Sequence, residues 1–306
     1  MKILIIGAGA TGGAYGTRLI EAGRDVTFLV RQHRAEALAR DGLTLQAPDG
    51  RHTHKVHAVT AIQPGDHYDL IIVAVKAPAL AGVLATAAPA IGPGTMILPF
   101  LNGMDHLDAL EEAYPGQVLG GLVKIVATLD GSGTVLQMTP MSTMTVGPLH
   151  GTPLPEEVRE ALDVPGIRLT VDDEIETRLW EKWAFIASAG VITCLFRGTI
   201  GDILAAGGEE HILRAIAETE DVARAAGHPV SAKSHAQSLD LLTEPGSGFT
   251  SSLYRDLQNG DPVEAEHIVG GLAARARTLG VATPLLDAAL LQLRTHRQAM
   301  AHQALT

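Results

Sequence analysis

The sequence predicts an α/β protein in two parts, a doubly wound parallel sheet followed by an all-helical region. Three observations predict it. Short continuous apolar runs alternate with helical periods through the first half, as expected of strands buried on both faces and the helices that join them. A glycine-rich turn directly follows the first run. From Asp172 onward the apolar period is helical throughout.

Taken in order, residues 3–6 are an apolar, β-branched run that stops at Gly7, which predicts a buried strand. Residues 14–22 predict a helix with Tyr15, Leu19 and Ile20 on one side and Gly23 as its stop. Residues 25–30 predict a second strand, and 35–40 a helix ended by Gly42. The rhythm then breaks. Leu43-Thr44-Leu45-Gln46 alternates, Pro48-Asp49-Gly50 makes a turn, and 55–59 alternates again, which predicts a hairpin. Strands over 68–75 and 95–100 flank a helix over 79–90. Residues 118–127, 135–138 and 143–146 read as antiparallel strands, 155–162 as a short helix and 167–171 as a last strand. Asp173-Glu174-Ile175-Glu176 resembles a capping box. Helices follow over 174–196, 208–226, 232–243, 262–279 and 284–303, with Pro262 at the first position of the fourth. The predicted domains are 1–171 and 172–306.

The chain has 306 residues, more than one compact domain usually holds. It is 46% hydrophobic and 19% charged, so much apolar surface is buried, with room for a homodimer through the helical domain. A net charge of -11 argues against a nucleic-acid footprint or a polybasic membrane patch. The single cysteine, Cys194, makes no internal disulfide, which suits a reducing compartment. The apolar run after Met1-Lys2 is too short for a signal peptide, and 183–196 is too short for a membrane span. A cytoplasmic location is expected.

Gly7-Ala8-Gly9-Ala10-Thr11-Gly12 is GxGxxG placed between a strand and a helix, the context that gives this pattern meaning. Gly7 permits the tight turn, Gly9 lets backbone approach a pyrophosphate, and Gly12 lets helix pack on strand. The helix N-terminus then offers N–H donors to phosphates. This predicts a Rossmann-type dinucleotide site. The second strand ends in Val30-Arg31-Gln32-His33-Arg34, without the carboxylate that would hold a free ribose. Arg31 can pair with a 2′-phosphate, so NADP(H) is the predicted cofactor.

A nicotinamide site implies hydride chemistry, and a carbonyl acceptor then needs a proton donor. Lys76 and Asn102 follow apolar strands and are predicted near the carboxyl edge of the sheet, as ligand contacts or as ordinary loop residues. Lys182 enters an almost wholly apolar helix, so it either snorkels outward or faces a cleft. Glu264 stands in a predicted first turn, where acids are common for the dipole alone. His52, His54 and His57 read as an exposed hairpin edge with no acid nearby to complete a zinc site. Cys194, Trp180 and Trp183 read as packing residues, and Glu209, Glu210 and 218–221 as solvated surface.

These segments together resemble the ketopantoate reductase (2-dehydropantoate 2-reductase) family over nearly the whole chain. The matching pieces are the glycine motif with Gly13, Val75-Lys76-Ala77, Leu101-Asn102-Gly103-Met104, Trp180-Glu181-Lys182, Thr250-Ser251-Ser252-Leu253 with Asp256, and Val263-Glu264 followed by Ile268-Val269-Gly270. The resemblance implies NADPH-dependent reduction of a 2-keto acid, 2-dehydropantoate to pantoate, within pantothenate biosynthesis. It implies Lys182 as general acid, Glu264 on the substrate hydroxyl, and Asn102 and Lys76 beside nicotinamide and substrate. It also implies Ser251 or Ser252 on the substrate carboxylate and Arg31 on the 2′-phosphate. The chain departs from the family at Ile186 and Gly190, where many members carry asparagine. That departure predicts a more apolar pocket wall and leaves open a different substrate, as in a related 2-hydroxyacid or opine-type dehydrogenase. A cofactor sensor without turnover is the third reading.

Overall fold

The computed structural model describes residues 1–63, 65–261 and 263–303. The predicted helix start at Pro262 lies outside them. The chain divides into two compact units: Met1–Leu101 with His106–Ile175, and Asn102–Asp105 with Glu176–Thr306.

The first unit opens with β1 (Lys2–Ile6), α1 (Ala10–Glu21), β2 (Asp25–Leu29), α2 (Gln32–Asp41), β3 (Leu43–Ala47), β4 (Gly50–His54) and β5 (His57–Val59). It continues with β6 (Leu70–Val73), α3 (Leu80–Ala87), β7 (Met96–Pro99), α4 (Asp105–Ala113), β8 (Gly120–Leu129), β9 (Val135–Gly147), α5 (Glu156–Leu162) and β10 (Arg168–Val171). One sheet runs β5-β2-β1-β6-β7 with every pair parallel. Its order reverses direction between β1 and β6, the place where open α/β sheets bind ligands. The second sheet runs β10-β9-β3-β4, with β8 also paired to β9. Ile3, Ile5, Tyr15, Phe28 and Leu45 lie in one buried cluster that covers both sheets.

Three expectations change here. The hairpin is tighter than predicted: β3 pairs with Gly50–His54, and His57–Val59 joins β2 in the other sheet instead. Residues 135–138 and 143–146 are parts of one strand, which is antiparallel to β8 but parallel to β3 and β10. The hairpin histidines also have acids nearby. His52 Nδ1 and His54 Nε2 lie 2.6 and 3.2 Å from Glu21 Oε1, and Arg18 holds Asp49 through both carboxylate oxygens. Among the described residues, no group of three such side chains is arranged to hold a metal ion.

The second unit contains α6 (Ile175–Phe196), α7 (Ile200–Ala205), α8 (Glu209–Ala225), α9 (Ala232–Leu242), α10 (Ser252–Asn259), a π turn (Glu266–Gly270), α11 (Gly271–Leu279) and α12 (Pro284–Gln303). The predicted 262–279 helix is thus a π turn leading into α11. Just before α6 the Asp172 Oδ1 accepts the Glu174 N–H at 2.9 Å, closing a turn that leads into the helix. At 22 residues α6 is long and apolar enough to cross a membrane by length and composition, and 72% of its most apolar window is buried inside the protein, as in the core helix of a folded domain. Helices α4, α7 and α10 were not predicted.

Glu218 corrects another expectation, because it is buried rather than solvated. Its carboxylate accepts the Leu285 and Leu286 N–H groups at 3.0 and 3.1 Å and so caps α12. Burial pushes its pKa up, against the pull of those amides. Glu218→Ala leaves one buried and one part-buried donor unpaired and should cost roughly 1–3 kcal/mol of unfolding free energy. Denaturant unfolding checks this; a loss below about 0.5 kcal/mol would mean that α12 needs no cap from α8.

Candidate functional site

The glycine turn is built by contacts that no side chain could share. Gly7 adopts φ +100°, and a Cβ there would lie 2.8 Å from the Ala74 carbonyl oxygen. A Cβ on Gly12 would lie 2.0 Å from the Gly7 carbonyl oxygen. Gly9 caps α1 without a side-chain bond, and a Cβ on it would meet nothing within 4 Å. The turn is therefore closed at Gly7 and Gly12 and open at Gly9. Ala8 lies within it, and Ala10, Thr11 and Gly12 supply first-turn N–H groups. A pyrophosphate fits such a cradle, because unpaired helix N–H groups and the dipole both favour an anion.

Arg31 is exposed and caps α2, two residues beyond the end of β2. Lys76 is exposed three residues beyond β6. Its loop is tied to the glycine turn by the approach of Gly7 to Ala74. Sequence reasoning missed Arg34. Its Nε donates to the Ala8 carbonyl at 3.1 Å and its Nη1 to the Gly133 carbonyl at 2.9 Å. Its Nη2 is buried and has no hydrogen-bond partner among the described residues. Burial pulls the Arg34 pKa down, so holding this charge costs free energy. A buried cationic N–H beside the turn also fits an anionic cofactor. The available signal was the spacing of Arg31 and Arg34, which places both at the start of one helix.

The other predicted residues lie in the second unit. Lys182 is half-buried on α6 between two anchored neighbours. Glu181 is buried, and its carboxylate accepts the Ser231 N–H at 3.0 Å and Arg178 Nη1 at 3.1 Å. Burial opposes the Glu181 charge, but bonds from Ser231, Ser234 and Arg178 outweigh it and lower the pKa. Trp183 is buried, and its Nε1 donates to the Ile268 carbonyl at 2.8 Å. Glu264 is half-buried, two residues before the π turn. Asn102 is half-buried in the Asn102–Asp105 segment, which packs with the helices rather than with the sheet that it follows in sequence.

The two serines separate. Ser251 is buried and caps α10, accepting the Tyr254 N–H at 3.1 Å. Thr193 gives its proton to the Ala189 carbonyl, so Ser251 must donate to Thr193 at 2.7 Å. Ser251 has thus spent its single proton within the protein, which leaves exposed Ser252 as the serine open to a ligand. Gly190 packs against α10. It is buried, and a Cβ there would lie 2.6 Å from Leu253 Cδ1, so Leu253 fills the space of the missing side chain. Phe185 and Ile186 lie half-buried one turn beyond Lys182, and the Phe185 ring sits 6.2 Å from that of Phe249. Cys194 is buried, and burial pushes its thiol up to about 12, which makes it inert at neutral pH.

The chain carries a parallel sheet with this glycine turn and, further along the sequence, a helical unit, and its class is that of oxidoreductases acting on CH–OH groups. Models of ketopantoate reductase PanE/ApbA and of its C-terminal domain match residues 3–151 and 174–297, and the chain belongs to that family. It is 34% identical to the uncharacterized oxidoreductase YkpB of Bacillus subtilis over 300 residues, 97% of this chain and 99% of that one. It is 25% identical to the 2-dehydropantoate 2-reductase of Mesorhizobium japonicum, over 96% of this chain and 97% of that one. The fold also matches a D-mandelate dehydrogenase solved with NADH and anilino(oxo)acetate, with a TM-score of 0.87, 21% identity, and 98% and 99% of the two chains covered.

Proposed function

We propose that the protein reduces a 2-keto acid to the 2-hydroxy acid with NADPH, 2-dehydropantoate being the first substrate to test. Pantoate as product would place the reaction in pantothenate biosynthesis. The observation that carries this reading is Lys182, a half-buried ammonium on a mostly buried helix, fixed on both sides by Glu181 and Trp183.

NADPH, when bound at the glycine turn, supplies the hydride. Gly7, Gly9 and Gly12 shape the turn, and the first-turn amides of α1 hold the pyrophosphate. Arg31 holds the 2′-phosphate. Lys182 gives a proton from Nζ to the oxygen of the substrate carbonyl as charge develops there, and its positive charge stabilises that oxygen beforehand. Asn102 and Lys76 orient the reacting groups by hydrogen bonding. Glu264 accepts from a substrate hydroxyl, and Ser252 contacts the carboxylate.

A second reading keeps this chemistry and changes the side chain of the keto acid. Phe185, Ile186 and Phe249 offer no hydrogen-bonding side chain near Lys182, and Leu253 occupies the space at Gly190. Such a face suits an apolar substituent, because apolar walls discriminate poorly in favour of a hydroxyl.

NADPH oxidation with 2-dehydropantoate beside aliphatic and aromatic 2-keto acids tests both readings. A preference for 2-dehydropantoate supports the first and a preference for an apolar keto acid supports the second. No turnover of any 2-keto acid overturns both. In the same assay Arg31→Ala should weaken NADPH by roughly 10- to 100-fold, the worth of a charge-assisted phosphate contact, and leave NADH unchanged. Equal losses for the two cofactors would remove Arg31 from the 2′-phosphate.

A further inference from the structure

Asn102, Lys182 and Glu264 lie far apart in sequence, yet one set of contacts runs beside all three. Asn102 precedes Gly103, whose φ is +78° and whose Cβ, if present, would lie 2.5 Å from the His267 carbonyl oxygen. Only glycine lets the loop press this closely on the π turn. Three residues after Asn102, the Asp105 Oδ1 accepts Arg275 Nη1 at 2.5 Å. The Arg275 guanidinium also lies 5.1 Å from the centre of the Trp183 ring and 5.9 Å from that of Trp180. Trp183 follows Lys182 directly and bonds to the carbonyl of Ile268, in the turn that begins two residues after Glu264. That turn is held from outside by Glu266, which pairs with Arg294 at 2.7 Å.

We propose that Arg275 is a positioning residue for the reaction, fastening the Asn102 loop to the helix that carries Lys182. The proposal rests on the reductase reading above. Arg275 is suited to the task by its shape. Its fork donates to the Asp105 carboxylate through Nη1 while its charged centre stands 5.1 and 5.9 Å from the two indole centres, so one side chain makes both interactions at once. The segment Asn102–Asp105 thereby belongs to the helical unit although the strand before it and the rest of α4 belong to the sheet unit. Without the clamp, Asn102 is tethered on one side by β7 and on the other by α4, and Gly103 permits many backbone conformations. A side chain displaced by about 1 Å is enough to cost roughly 100-fold in rate.

Arg275→Met and Asp105→Asn test the proposal by two readouts. The second variant removes charge from a half-exposed side chain with little change of shape, so it should fold if the first does not. Amide hydrogen exchange reports the clamp without any turnover. Exchange over residues 102–105 should speed up by roughly 10-fold or more, while β8 keeps its protection. With the best keto acid of the panel, kcat should fall by roughly 10- to 100-fold. NADPH affinity should hold, because the glycine turn and Arg31 lie in the other unit. Arg275→Lys should recover little of the rate, since a compact ammonium lacks the extended fork that serves the carboxylate and the rings at once. Unchanged exchange over 102–105 in both variants overturns the proposal. Faster exchange with unchanged kcat overturns it too, by showing a loop fastened for stability alone. A wild-type protein that turns over no 2-keto acid sinks the reductase reading instead, and the exchange data still decide whether Arg275 holds the loop.

Discussion

Lys182→Ala should lower turnover by roughly 10²- to 10⁴-fold, the span associated with losing a general acid, or roughly 3–5 kcal/mol of barrier. NADPH affinity should stay near that of the parent protein. The reasoning is local. α6 is mostly buried, Lys182 is half-buried on it, and Glu181 and Trp183 fix the backbone on either side. Removing the ammonium therefore leaves the backbone of the helix anchored and takes away the proton donor and its charge. Lys182→Arg should recover little of the rate, because a guanidinium holds its proton too tightly to give it up near neutral pH. Stopped-flow NADPH oxidation with the preferred keto acid separates chemistry from product release. Turnover within about 3-fold of the parent would remove Lys182 from the mechanism, since general-acid losses are far larger.

Gly12→Ala should abolish useful cofactor binding, weakening NADPH by roughly 100-fold or more through lost amide–phosphate bonds. Its Cβ would stand 2.0 Å from the Gly7 carbonyl oxygen, a backbone atom that cannot swing aside. The start of α1 would have to move away from β1, taking the first-turn amides with it. Gly9→Ala makes the sharper comparison. Nothing lies within 4 Å of its added methyl, so the unliganded protein should keep its melting temperature. The methyl instead occupies the space where backbone must approach the pyrophosphate, so NADPH should still weaken. Gly12→Ala should lower both the melting temperature and the affinity, Gly9→Ala the affinity alone. Full NADPH affinity in Gly9→Ala would show that the cofactor does not approach the turn at Gly9.

Much of the first unit could be read without structure, and the reasons are local. β1, the glycine turn and α1 follow each other within 21 residues, and each is specified by side chains or by their absence. The long helices α6, α8, α9 and α12 also begin and end within about two residues of where their apolar period places them. Short helices were harder. α4, α7 and α10 have nine, six and eight residues, about two turns each, and isolated helices of that length are not stable alone. Ser251 carried a readable signal all the same, since a serine followed by Leu253 and Leu257 marks a helix start. So did Glu218, which shares the buried face of α8 with Ala215 and Val222.

The sequence by itself determined the glycine turn, the alternation of buried strands with helices, and the change to an all-helical period after Asp172. These depend on sterics and periodicity within a few neighbouring residues. Only the tertiary structure decided that His57–Val59 pairs with β2 rather than with β3, since several strands of like pattern competed for each edge. It alone placed Leu253 in the space at Gly190, turned Ser251 into a cap, and brought Arg275 to Asp105 across 170 residues. Each of those outcomes depends on which surfaces meet when the chain collapses, and no local period records that choice.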